Sequence, residues 1–123
     1  MTPELQDALY ADFPSLFVEN DLPMTQTCMC WGCDVGSGWE PLLRRVCEDL
    51  MKLGLEHLCF TQVKEKWGTL TIYVNDYQDE VCVILDKAEK DSATICEQCG
   101  KPGKINTRGW LKCLCEECRE KAR

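Results

Sequence analysis

The chain has 123 residues, 45% of them hydrophobic, with 11 Cys, 4 Trp, one His and a net charge of −7. That is the size of one ordinary domain, too short for a barrel enzyme or two independent α/β lobes, and apolar enough to exclude global disorder. The charge is uneven: residues 1–95 carry 7 basic against 17 acidic residues, whereas residues 96–123 carry 7 against 4. An acidic body repels phosphate backbones, which argues against nucleic-acid binding by the whole surface; it suits a basic protein partner or simply favours solubility.

In chain order, Thr2-Pro3-Glu4 predicts a helix start, with Thr as N-cap and Pro in the first turn, running to about Asp12. Phe13-Pro14 interrupts it, and Asn20–Pro23 reads as a loop. Residues 28–38, with three Cys and three Gly, predict an irregular, tightly turned loop. Trp39-Glu40-Pro41 opens the clearest helix. Trp39, Leu42, Leu43, Val46, Leu50 and Leu53 share one face, and Gly54 supplies the stop. The period then changes to two. Leu58–Val63 and Thr69–Val74 predict two strands, joined by a charged hairpin loop over Lys64–Gly68. Residues 78–92 return to helical spacing through Val81, Ile84, Leu85 and Ala88. The fold class is therefore α+β, with residues 1–95 as an acidic body and residues 96–123 as a cysteine-rich tail packed on it.

Eleven cysteines approach the density of a disulfide scaffold. The odd number, the absence of a basic and apolar leader in Met1–Asp7, and two Cys-x-x-Cys pairs predict a reducing, cytoplasmic setting instead. No apolar run approaches the roughly 20 residues of a membrane helix.

The tail carries the chemistry. Cys96-Glu97-Gln98-Cys99-Gly100 and Cys115-Glu116-Glu117-Cys118 have the spacing of a four-cysteine zinc site. Two residues between thiolates let one tight turn aim both sulfurs at one ion, and two such turns complete a tetrahedral shell. Lys104–Asn106 and Trp110–Lys112 are expected to pair across Thr107-Arg108-Gly109, and Arg119–Arg123 to form a terminal helical turn. The layout is a zinc ribbon. Four thiolates close the shell, so the ion is expected to be structural. With Zn²⁺ bound to four thiolates the net charge moves from −7 to −9. Cys113 reads as a core thiol or a close neighbour of the site.

A second, weaker constellation is Cys28-x-Cys30-x-x-Cys33. It is either a second metal site or a set of small buried residues around Trp31 and Trp39. Cys30 and Cys33 also have the spacing of a thiol redox pair. Trp67 on the hairpin tip is a binding residue or a core residue. Arg108, Trp110 and Lys112, with Lys101 and Lys104, form a basic, aromatic surface on the ribbon. No phosphate loop, Ser/His/Asp set or HExxH motif occurs.

Several segments resemble one family. Trp31-Gly32-Cys33-Asp34-Val35-Gly36-Ser37-Gly38-Trp39 is similar to the W-G-x-x-x-G-x-G-W opening of small uncharacterised phage and prophage proteins. Gln62–Leu70 resembles their QVKEKFGTLRFY segment, with Trp67 in place of Phe and Thr71 in place of Arg. Ala88–Gly100 resembles AEERSARTCEVCG, and Gly109-Trp110-Leu111-Lys112 resembles GGWLKTLC. The resemblance covers about residues 30–118. It implies a phage-encoded cytoplasmic protein with a C-terminal zinc ribbon and implies no activity; Cys28, Cys30 and Cys33 lie outside its pattern. Three functions follow as expectations. The first is stoichiometric binding of a host protein, itself basic or nucleic-acid-binding, in the manner of an anti-defence, anti-CRISPR-like inhibitor. The second is a nucleic-acid adaptor or transcription regulator using the ribbon surface. The third is a small thiol protein using Cys30 and Cys33.

Overall fold

The computed structural model describes residues 1–122. Helix α1 spans Pro3–Asp12 and is capped by Thr2, whose side chain accepts the Leu5 N–H. A turn of 3₁₀ helix at Met29–Trp31 leads into strand β1, Cys33–Asp34. A second such turn, Ser37–Trp39, enters helix α2, Glu40–Lys52. Strands β2 (Phe60–Lys66) and β3 (Thr69–Val74) form a hairpin, followed by helix α3 (Asp79–Ser92). The tail contains β4 (Lys104–Ile105), β5 (Cys113–Leu114) and helix α4 (Glu116–Lys121). The architecture is α+β. One mixed sheet has the order β1-β2-β3, with β1 parallel to β2 and β2 antiparallel to β3, and β4 and β5 make a second, small sheet.

Helix α2 buries Leu42, Leu43, Val46, Cys47 and Leu50 in the core beside α3, and Gly54 ends the segment with φ +66°. The alternation in β3 is strict, with Leu70, Ile72 and Val74 inward. Helix α3 adds Val81, Leu85 and Ala88. Phe17 from the first loop stacks tilted between Tyr10 and Phe60, with centroids 4.9 and 5.0 Å away. Trp39 is fully buried, and its indole N–H donates to the Ile95 carbonyl at 2.8 Å.

Three expectations change. The 28–38 segment contains strand β1, because Cys33 pairs with Val63 and points into the core. Trp31, expected to lie among buried residues, is 65% exposed. The hairpin loop narrows from five residues to the two-residue turn Trp67-Gly68. Both have positive φ, +53° and +85°, the backbone that matches strand twist. Glu65 fixes this turn by accepting the Gly68 N–H at 2.8 Å.

The tail is seated by backbone. The Gly38 N–H donates to the Glu97 carbonyl at 2.7 Å, and the Gly36 N–H to the Glu97 carboxylate at 2.8 Å. A Cβ on Gly38 would lie 2.2 Å from the Cys96 carbonyl oxygen and 2.5 Å from the Gly100 nitrogen. No backbone atom can yield to that degree without separating the two segments. Gly38→Ala is therefore expected to destabilise the fold by about 2 kcal/mol or more. Gly54→Ala, where a Cβ meets nothing within 4 Å, is expected to cost only about 1–2 kcal/mol for its positive φ. Thermal unfolding of both variants beside the wild type checks the difference.

Candidate metal centre

Each knuckle forms because the chain turns back on itself where a sulfur must face inward. Gly100, at φ +83°, lets its N–H reach the Cys96 carbonyl at 2.9 Å, and the Cys96 N–H donates to Lys101 at 2.7 Å. At the second knuckle Cys115 caps α4, its sulfur accepting the Cys118 N–H at 3.5 Å. Glu97 N–H to Cys113 carbonyl, at 2.9 Å, brings the two knuckles side by side.

The four sulfurs of Cys96, Cys99, Cys115 and Cys118 lie within 4.8 Å of one another. The Cys99 and Cys115 sulfurs are 3.6 Å apart. A tetrahedral shell with bonds of about 2.3 Å has sulfur–sulfur edges of about 3.8 Å, so the spacing suits an ion and is far too wide for a disulfide. None of the four is in a disulfide. Burial pushes the Cys96 thiol up, but N–H groups of Cys115, Cys99 and Gln98 outweigh it and bring it to about 6. Cys118 moves the other way, to about 12, mainly through its contact with the Cys115 sulfur. Four sulfurs this close cannot all carry negative charge without a cation between them. A bound cation removes that conflict, so the donor set fits a metal ion and all four sulfurs would hold it.

The surroundings hold these ligands still. The Cys113 thiol donates to the Ala93 and Ile95 carbonyls at 3.3 and 3.2 Å, and its burial raises it. It is a core thiol outside the group of four sulfurs. Arg119 donates to the carbonyls of Lys104, Lys112 and Leu114, tying α4 across both ribbon strands. The ribbon hairpin differs from expectation: β4 pairs with Cys113–Leu114 rather than with Trp110–Lys112. The Asn106 side chain is the reason. It donates to the Arg108 and Trp110 carbonyls and accepts the Lys112 N–H at 2.7 Å, so residues 107–111 become a closed loop. The terminal helix starts earlier than expected, at Glu116; Arg123 lies outside the described residues.

The second constellation is not gathered. Among the described residues, the ribbon sulfurs are the one group of three or more His, Cys, Asp or Glu placed to share an ion. Cys28 is exposed and Cys30 half-buried, with its thiol directed at the Thr27 carbonyl at 3.5 Å. Cys33 is in the core, pushed up to about 12 by burial. That is the reverse of the lowered thiol a redox pair requires.

The ribbon surface residues divide. Trp67 is 72% exposed, which removes the core reading, and Trp110 is 81% exposed. They line one groove of about 540 Å³ with Glu65, Lys66, Gly109 and Leu111. Arg108 is exposed in the Asn106 loop. Lys112 is not presented outward: its ammonium lies 2.9 Å from Glu65 and 3.8 Å from Glu97. Glu65 and Glu97 were missed as site residues because their sequence neighbours give no hint of the partner across the fold.

No protein-family model matches the chain, and no match is found among curated proteins or solved structures. The phage-protein resemblance therefore rests on its motifs alone.

Elemental analysis beside a protein assay is expected to give one metal ion per chain. Cys99→Ser is expected to lose that ion, whereas Cys28→Ser is expected to keep it. A second equivalent lost with Cys28 would return residues 28–33 to the metal-binding set.

Proposed function

We propose that the chain is a small phage-type zinc-ribbon protein of the cytoplasm that acts without catalysis, by forming a stoichiometric complex with a host protein. Inhibition of a host defence component, as an anti-CRISPR-like protein would do it, is the sharpest form of this reading. The observation that carries it is a closed centre of four sulfurs within 4.8 Å, set beside an acidic body. Four thiolates favour zinc among the common divalent ions and leave no position for a substrate. The ion then serves folding, contributing on the order of 10 kcal/mol.

The charge supports a basic partner. Glu4, Asp7 and Asp12 lie on α1, and Asp79, Glu80, Asp86 and Glu89 on α3, and all seven are exposed. Opposed potentials of this kind accelerate encounter and fix register more than they add affinity. A host protein that normally holds nucleic acid offers the complementary surface.

Two measurements test the reading. Replacement of zinc by Co²⁺ is expected to give the intense visible absorption of a tetrahedral thiolate site, and an octahedral spectrum would contradict the zinc assignment. Pull-down from host lysate at low and moderate salt is expected to recover one partner, which reforms a stoichiometric complex when purified. Glu4→Lys with Asp7→Lys is expected to slow that association about tenfold at low salt. Recovery of no partner at either salt would remove the reading.

A further inference from the structure

The groove between the hairpin tip and the ribbon loop is a second feature of this molecule, and three observations set it apart. Trp67 occupies the first position of a two-residue turn with φ +53°, where Asn, Asp or Gly is the ordinary choice. A bulky residue there carries strain, and at 72% exposure Trp67 gains little burial to offset it. Trp110, from a distant part of the chain, faces the same groove and is 81% exposed.

The two walls are also held in fixed relation. A Cβ on Gly68 would lie 3.0 Å from Ile105, so the turn sits directly on β4. The Glu65 carboxylate accepts the turn's Gly68 N–H on one oxygen and meets Lys112 at 2.9 Å on the other. Asn106 closes the loop that carries Trp110. Such a groove is preorganised, which lowers the cost of binding.

Charge selects the occupant. Among the described residues Lys101 is paired with Glu117 and Lys112 with Glu65 and Glu97, which leaves Lys66, in the groove wall, and Arg108, exposed beside it, to set the local charge. Glu65, the one acid in the groove, is neutralised by Lys112. The Lys66 ammonium already lies 4.8 Å from the Trp67 ring centroid, so an incoming arginine or lysine would meet a cation on that ring. The groove therefore fits a ligand that is both flat and aromatic and negatively charged. We propose that it binds a short single-stranded nucleic-acid segment, with bases stacking on Trp67 and Trp110 and phosphates meeting Lys66 and Arg108.

This goes beyond the protein-partner reading and uses the opposite charge. The acidic body limits the contact to a few nucleotides, because phosphates carried further would meet the carboxylates of the helices. The two functions are compatible: the acidic faces engage a nucleic-acid-binding protein while the cationic end touches the strand it holds.

The test uses the full, zinc-loaded chain and a fluorescein-labelled oligothymidylate of about ten nucleotides, followed by anisotropy at about 50 mM salt. Binding with a dissociation constant between about 10⁻⁶ and 10⁻⁴ M is expected. Two phosphate contacts predict a shallow slope of about −1.4 in log affinity against log salt. Trp67→Gly keeps the turn, since glycine prefers that φ, and is expected to weaken binding roughly tenfold or more. Trp110→Ala is expected to do the same, and Trp31→Ala, outside the groove, to change nothing. A flat titration would overturn the proposal, as would binding that both groove variants leave intact. So would tighter, tryptophan-dependent binding of an aspartate- and proline-rich decapeptide, which would make the groove a peptide site. None of these results depends on a host protein being captured.

Discussion

The junction of body and tail depends on one contact, the seating of the Cys96–Gly100 knuckle on the Gly36–Trp39 segment. Two amides of the loop, Gly36 and Gly38, are satisfied by one residue of the knuckle, Glu97. The contact is close enough that side chains are excluded from both glycines, since a Cβ on Gly36 would lie 2.4 Å from the Glu97 carbonyl oxygen. Trp39 completes it from the core side by donating to Ile95. The same loop receives α1, through the Gln6 side chain accepting the Cys33 N–H at 2.8 Å. Body and tail are thus joined by hydrogen bonds that also satisfy buried amides, and separating them would leave those amides unpaired.

A metal ion at the four sulfurs acts directly on that contact. Glu97 lies between two of the ligands, so the ion fixes the residue on which the glycine loop rests. The backbone of the ribbon then propagates the order outward. Arg119 spans the two strands, Asn106 closes the loop, and Lys112 is placed to meet Glu65 on the hairpin. The ion is thereby linked to the groove between Trp67 and Trp110 although neither tryptophan touches the ligands. The four sulfurs and the groove thus belong to one chain of contacts.

The parts legible in the sequence were those set by local rules. Thr2-Pro3 marked α1, the apolar face of residues 39–53 marked α2, strict alternation marked β3, and Cys-x-x-Cys spacing marked the four sulfurs that gather. What escaped depended on partners distant in sequence. Strand β1 is two residues long and exists only because β2 lies beside it. The ribbon hairpin shifted because the Asn106 side chain took bonds that strand pairing would have used. Cys28, Cys30 and Cys33 looked alike in sequence, yet β1 turns Cys33 into the core while Cys28, ahead of the 3₁₀ turn, stays outside. The position of Gly36 and Gly38 was visible as an odd cluster, but the knuckle that requires them lies about sixty residues further along.

Hydrogen exchange at Gly36 and Gly38, before and after chelation of the metal, tests the central coupling most directly. Both amides donate to Glu97, at 2.8 and 2.7 Å, so their protection reports the seated knuckle. The account predicts core-like protection with the metal bound and its loss on chelation. It also predicts that amides within the β2–β3 ladder remain slower than either glycine in the chelated protein. Equal protection of the two glycines with and without metal would contradict it, because the knuckle would then hold its place with no ion to organise it.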